Sequence, residues 1–127
     1  MKNWIVFAAI LGAITVILGA IGAHGLQGKL SDVQLNSFAT GVRYQYYHIF
    51  AMILAVVLSK QFNVNLKVSL WLFAIGTLFF SGSIFALSTI PIHGIEGVRA
   101  LGPVTPIGGL ILVAGWLSAA FQFIRKK

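Results

Sequence analysis

The stretch WIVFAAILGAITVILGAIG, Trp4 to Gly22, contains no charged residue and no proline. A helix crosses the ~30 Å hydrocarbon core of a bilayer with about 20 such residues. The run also places small residues at Ala8, Gly12, Thr15, Gly19 and Gly22, spaced 4, 3, 4 and 3. That spacing lines one helical face with positions that let another backbone come close, and close approach is what packs helices together where the solvent is as apolar as leucine. The apolar run exceeds the 7–15 residues of a signal-peptide core, so it reads as a retained span.

Working outward, residues 68–90 and 106–124 are also uncharged apolar runs. A fourth, 44–59, is short for a span, but no proline interrupts the chain from Asp32 to Ser59. Ser31 and Gln34 have the spacing of a capping box, so one long helix is predicted from Asp32. Its first third, 32–43, is amphipathic: Leu35, Phe38, Val42 and Tyr46 share a face, with Asp32, Asn36 and Thr40 elsewhere. Such a stretch either lies among head groups or packs over the mouth of the bundle. Gly41 is a candidate kink. Thr105 and Pro106 read as N-cap and first residue of the last helix, and Gly25 as the left-handed residue after the first.

Composition agrees. Of 127 residues, 58% are hydrophobic and 9% charged, against about 25% charged in soluble domains. Two acids and nine bases cannot cover a water-exposed surface. An ordinary soluble enzyme, a disordered chain and a disulfide-stapled domain are excluded. The absence of cysteine removes thiolate metal sites and a cysteine nucleophile. The predicted fold is all-α, a four-helix transmembrane bundle in one integral membrane domain, 1–127, with spans at about 4–23, 44–59, 68–90 and 106–124.

The formal charge of +7 points to anionic lipid head groups rather than nucleic acid, because the bases sit at the ends of apolar segments. Lys2, Lys60, Lys67, Arg125, Lys126 and Lys127 fall on one side; Lys29, Arg43 and Arg99 fall on the other with Asp32 and Glu96. The positive-inside rule then puts both termini in the cytoplasm. Tyr44, Tyr46 and Tyr47 mark the outer interface and Trp4 the inner one, whereas Trp116 lies near mid-depth.

Polar residues at membrane depth are costly and face the bundle interior or a cavity. Gln45, His48, Met52, Ala55 and Ser59 share one face of the second helix. His24, Arg43, Gln45 and His48 form the candidate functional cluster, which His93, Glu96 and Arg99 could join at the outer mouth. Histidines with a carboxylate suggest a metal, but neither HxxxH nor HExxH occurs. A proton or substrate pathway is the second reading. The third, which we adopt, is structural: His48 makes an interhelical hydrogen bond and Arg43 meets Glu96 or lipid phosphate. No catalytic residue, metal site or cofactor is predicted. Helix packing is assigned to Gly12, Thr15, Gly19 and Gly22, to Thr77, Ser81 and Ser88, and to Gly108, Leu112, Gly115 and Ala119. His24-Gly25-Leu26-Gln27-Gly28 also echoes His93-Gly94-Ile95-Glu96-Gly97, as a duplicated hairpin would.

Several motifs together resemble one family. Gly19-Ala20-Ile21-Gly22-Ala23-His24-Gly25-Leu26 is similar to its Gly-Ala-Phe-Gly-Ala-His-Gly-Leu run, and Arg43-Tyr44-Gln45-Tyr46-Tyr47-His48 to its Arg-Tyr-Gln-x-Tyr-His. Phe80-Ser81-Gly82-Ser83, Thr105-Pro106-Ile107-Gly108-Gly109 and Gly115-Trp116 follow in the same order. The chain thus resembles the YgdD/YwdK group of small bacterial membrane proteins, a domain of unknown function, and its eukaryotic transmembrane protein 256 branch. The resemblance implies a four-helix protein of the bacterial inner or cytoplasmic membrane and implies no activity. The expected role is a non-enzymatic structural or accessory protein of the envelope or of a membrane complex, with lipids and either further copies or a membrane-protein partner. The alternative is a small oligomeric transporter or channel, with a pathway at Gln45 and His48, Thr77 and Ser81 lining it, and pH sensitivity near the histidine pKa. A histidine-based metal-binding protein is third.

Overall fold

A computed structural model describes residues 1–126; Lys127, one of the bases counted above, lies outside the described residues. Helix α1 spans Lys2–Ala20 and runs on as a π-helical turn, Ile21–Gly25. Helix α2 spans Asp32–Gln61, α3 Lys67–Ser88, the short α4 Ile90–His93, and α5 Val104–Arg125, with a 3₁₀ turn at Glu96–Leu101 before it. No strand occurs among the described residues. Four helical segments are long and apolar enough to cross a membrane.

Local chemistry sets the boundaries. The capping box forms: Ser31 N–H donates to Gln34 Oε1 at 2.9 Å, and Gln34 N–H donates to Ser31 Oγ at 3.3 Å. From there α2 is unbroken through Gly41. Gly41 serves a close approach instead of a kink, since a Cβ there would stand 2.7 Å from the Phe85 ring. The start of α5 differs from the sequence expectation. Pro103 is the N-cap and Val104 begins the helix; Thr105 lies inside the first turn, its hydroxyl 2.6 Å from that of Ser83 on α3. That partner satisfies the hydroxyl that would otherwise cap. The left-handed residue after α1 is Gly28, at φ 74°, because the π turn carries the helix through Gly25. Gly94, at φ 67°, closes α4. The two His-Gly segments therefore adopt different backbones and are no structural repeat.

Helix α1 packs on α2, α2 on α3, and α3 on α5. The α3–α5 contact is the tightest. Gly76 on α3 faces Leu112, where a Cβ would meet Leu112 Cδ2 at 2.7 Å, and Gly115 on α5 faces the Phe73 ring at 2.8 Å. A Cβ on Gly108 would overlap the backbone of Phe79 and Phe80. Met52, Leu66, Leu70 and Phe73 are essentially fully buried beside these contacts. A smaller cluster forms at the other end, where Phe38 of α2 packs on Leu26 and Leu30. Helix α1 is the least enclosed span; Ala8 and Thr15 are its only buried residues.

These contacts separate two glycines sharply. A Gly108→Ala variant has to push backbone against backbone and is expected to lose about 1–3 kcal/mol, the range of overpacking. At Gly12 a Cβ would meet nothing within 4 Å, so Gly12→Ala should stay within about 0.5 kcal/mol. Reversible unfolding in detergent or bicelles reads both; equal losses would contradict the α3–α5 geometry.

Candidate functional site

The polar residues at mid-depth fall on α1, α2, α3 and α5, and most are tied across helices. Gln45 and His48 lie three residues apart, one turn of α2, so both project inward, each about 5% exposed. Gln45 Nε2–H donates to Thr15 Oγ1 at 2.7 Å, joining α2 to α1. Thr15 in turn donates to the Leu11 carbonyl at 2.6 Å. His48, about 60° further round the helix, reaches α5 instead. The Trp116 indole N–H donates to His48 Nε2 at 3.4 Å, and His48 Nδ1 lies 2.8 Å from the Tyr44 carbonyl. An indole can only donate and a carbonyl can only accept. One neutral tautomer, with the proton on Nδ1, satisfies both contacts. The rings of Phe73 and Trp116 flank the imidazole at 5.6 and 6.3 Å.

Further along, Ser81 Oγ–H donates to the Gly41 carbonyl at 2.8 Å, joining α3 to α2, and Ser83 meets Thr105, joining α3 to α5. Ser88 bonds back to Ile84 within its own helix. Two buried hydroxyl oxygens, Ser69 Oγ and Thr77 Oγ1, have no hydrogen-bond partner.

The outer residues do not converge. Arg43 is exposed; its Nη2–H donates to Thr40 Oγ1 at 3.0 Å, and it borders a cleft of about 330 Å³ with Gly22, Gln27 and Asn36. Glu96 pairs with Arg99 within its own 3₁₀ turn, so the pairing with Arg43 is not made. Both ends of that pair are exposed; the guanidinium hydrogen bond and charge lower the Glu96 pKa below its ordinary value. His93 is likewise engaged locally, with Nε2 2.9 Å from the Ala86 carbonyl and Nδ1 accepting from Ile95 N–H. His24 is exposed in the π turn. Among the described residues no three His, Cys, Asp or Glu side chains group to hold a metal ion.

Of the small residues, Gly22 abuts the Phe38 ring, Gly19 is in ordinary contact with Val42, and Gly108 and Gly115 are buried against α3. The cavities separate the inward-facing polar groups. Gln45 and Thr77 border a groove of about 420 Å³ between α1 and α3, whereas His48 borders one of about 380 Å³ on the α5 side, with Tyr44, Tyr47 and Trp116. Ser81 lines neither.

Sequence reasoning missed Trp116 as a partner of His48 and Thr105 as a partner of Ser83. These pairs are 68 and 22 residues apart, and no local spacing signals them. The one available sign was that Trp116 sits too deep for an interfacial tryptophan. A double-mutant cycle with His48→Ala and Trp116→Phe should give a coupling of about 0.6 kcal/mol, the average for an interhelical hydrogen bond in a membrane protein. Additive losses in the same unfolding measurement would contradict the contact.

A family model described as "Protein of unknown function (DUF423)" matches residues 18–109. The chain is 39% identical to a UPF0382 membrane protein of Staphylococcus haemolyticus over 98% of its own length and 99% of the relative's. It is 37% identical to a UPF0382 membrane protein of Staphylococcus aureus, over 97% and 98% of the two chains. To the UPF0382 membrane protein YwdK of Bacillus subtilis it is 34% identical over 98% of each. No solved structure matches. The chain belongs to the DUF423 family, and it is a multi-pass membrane protein.

Proposed function

We propose that this DUF423 member is a non-enzymatic structural or accessory protein of the bacterial cytoplasmic membrane, serving the envelope or a membrane complex. The observation that carries this reading is the use made of its deep polar groups. Gln45 is tied to Thr15, His48 to Trp116 and the Tyr44 carbonyl, and Ser81 to the Gly41 carbonyl. Each bond joins two helices or holds a ring in place. A conducting pathway needs polar groups facing one shared lumen; here Gln45 reaches α1 and borders one groove, while His48 reaches α5 and borders another. The exposed His24 and Arg43 remain as outward-facing groups for a partner or for lipid.

Both termini are assigned to the cytoplasm, with anionic head groups at the basic end formed by Lys2, Lys60, Lys67, Arg125, Lys126 and Lys127. The first third of α2 is assigned to the outer interface. Phe38, buried on Leu26 and Leu30, supports its packing over the bundle mouth, and the exposed Asp32, Asn36 and Arg43 reach the head-group layer.

Purified protein in sealed proteoliposomes should produce no flux of protons or monovalent cations above that of empty vesicles from pH 5.5 to 8. His48→Ala should lower stability by about 0.6 kcal/mol. A flux abolished by His48→Ala at unchanged stability would overturn the proposal in favour of transport. The native chain has no cysteine, so single replacements report topology: Gln27→Cys should react with an impermeant maleimide on intact cells and Lys126→Cys only after lysis. The opposite pattern would reverse the orientation.

A further inference from the structure

The cleft of about 330 Å³ that Arg43 borders lies between the end of α1 and the first third of α2. Its polar groups follow one order along the helices. Gln27, just past the π turn, and Asn36, in the second turn of α2, stand at its outer end. Arg43 comes seven residues after Asn36, about 10 Å of helix at ~1.5 Å per residue. At the level of Arg43 the cleft is apolar, bordered by Val42 and by Gly19 of α1, which are in ordinary contact with each other. Ala23 and Ala39 keep the walls between these two levels low, and Leu35 closes the side. The cleft thus carries amides at the mouth, a guanidinium below them and apolar surface beside it.

Arg43 pairs with no carboxylate among the described residues. Its Nη2–H donates to Thr40 Oγ1, one turn nearer the start of α2; a guanidinium has four further N–H donors. Asp32 lies eleven residues earlier on α2, about 16 Å of helix, and Glu96 is held by Arg99. Neither acid borders the cleft. The level of Arg43 is inside the bilayer, because Gly19 belongs to the charge-free run that crosses it. A long cationic side chain at such a level extends toward the interface, and the bond to Thr40 draws the Arg43 guanidinium that way. The abundant anion at a membrane interface is lipid phosphate, and a guanidinium fork engages two phosphate oxygens at once.

We propose that the α1–α2 cleft is a binding site for one phospholipid, with its phosphate on the Arg43 guanidinium. The head group points outward to Gln27 and Asn36, and one acyl chain leaves past Gly19 and Val42 into the leaflet. The proposal rests on the reading of Arg43 as an outward-facing group for a partner or for lipid, and it names the occupant. Charge complementarity comes from a cation that itself borders the cleft, with no acid beside it. The order of groups down the cleft matches the order of groups down a lipid, which a free phosphate ion does not need. The walls of α1 and α2 separate a resident lipid from a transient boundary one.

The test is carbon–phosphorus dipolar dephasing in solid-state NMR, with the full chain in phosphatidylglycerol vesicles and its arginine Cζ labelled. Arg99→Lys with Arg125→Lys leaves Arg43 as the one arginine of the chain. Its Cζ should dephase strongly against lipid phosphorus, and absence of dephasing would overturn the proposal. Ala39→Phe fills the cleft without changing charge and should abolish the dephasing, while helical content and melting temperature stay near wild type. Undiminished dephasing in that variant would reduce the contact to a boundary lipid and overturn the site. In vesicles of a phosphate-free glycolipid with inorganic phosphate in the buffer, Arg43 should not dephase; dephasing there would assign the site to free phosphate. Native mass spectrometry after mild extraction gives an independent reading. A basic residue near a membrane surface contributes about fivefold in affinity for anionic lipid, so Arg43→Gln should lower retention of one phosphatidylglycerol about fivefold. Lys29→Gln removes a charge near the same end that does not border the cleft and should leave retention unchanged. Equal losses in these two variants would overturn the site. The flux measurement on the same vesicles tests the structural role separately: flux with the dephasing intact would sink that role and leave the lipid site standing.

Discussion

The contact between α3 and α5 organises the molecule. In hydrocarbon no hydrophobic force draws one helix to another, so cohesion comes from backbone proximity, dispersion contacts and hydrogen bonds. Gly108 stands where any side chain would strike the Phe79–Phe80 backbone, and Gly76 and Gly115 admit Leu112 and Phe73 on either side. Once α5 is seated this way, Thr105 meets Ser83. Trp116 is brought over Phe73 at a centroid distance of 5.0 Å, with its indole N–H facing the imidazole of His48. The α2 histidine therefore depends for its second partner on a contact made between two other helices.

The hydrogen bonds are distributed to match. Each of α1, α3 and α5 is tied to a neighbour by at least one side-chain bond at depth, and an unpaired polar group in hydrocarbon costs several kcal/mol. These ties fix rotational register more than they add cohesion, because each is worth little against a membrane-embedded reference state that also finds partners. Helix α1 is the exception to close packing. It packs chiefly on α2, through Gln45–Thr15, Gly19 against Val42 and Gly22 against Phe38, and this leaves a groove on its α3 side.

Much of this was legible in the sequence. Charge-free runs gave the spans, since the bilayer imposes length and polarity on any helix that crosses it. Ser31 and Gln34 marked the start of α2 because a capping box is wholly local. The inward faces of α2 and α5 followed from the helical period: Gln45, His48, Met52 and Ala55 are buried, as are Gly108, Leu112 and Gly115. What failed was chemistry that depends on a distant neighbour or on backbone choice. Thr105 looked like a cap until Ser83 supplied its partner. Gly25 looked like a helix end until the π turn moved the left-handed residue to Gly28. Arg43, read as meeting either Glu96 or lipid phosphate, does not meet Glu96, because Arg99 lies one turn from Glu96 and a local ion pair forms without long-range cost. The cluster of His24, Arg43, Gln45 and His48 was legible as a list of polar residues near one end. The list could not say which neighbour each one reaches.

The central claim is that the deep polar groups of α2 tie helices together instead of lining a wet passage. Water-to-protein magnetisation transfer in solid-state NMR, with the protein in hydrated bilayers and the side-chain nitrogens of Gln45 and His48 labelled, tests it most directly. The account predicts slow transfer to both, comparable to the neighbouring apolar core, and a single neutral His48 with its proton on Nδ1. Rapid transfer to both side chains would reveal water beside both and contradict it.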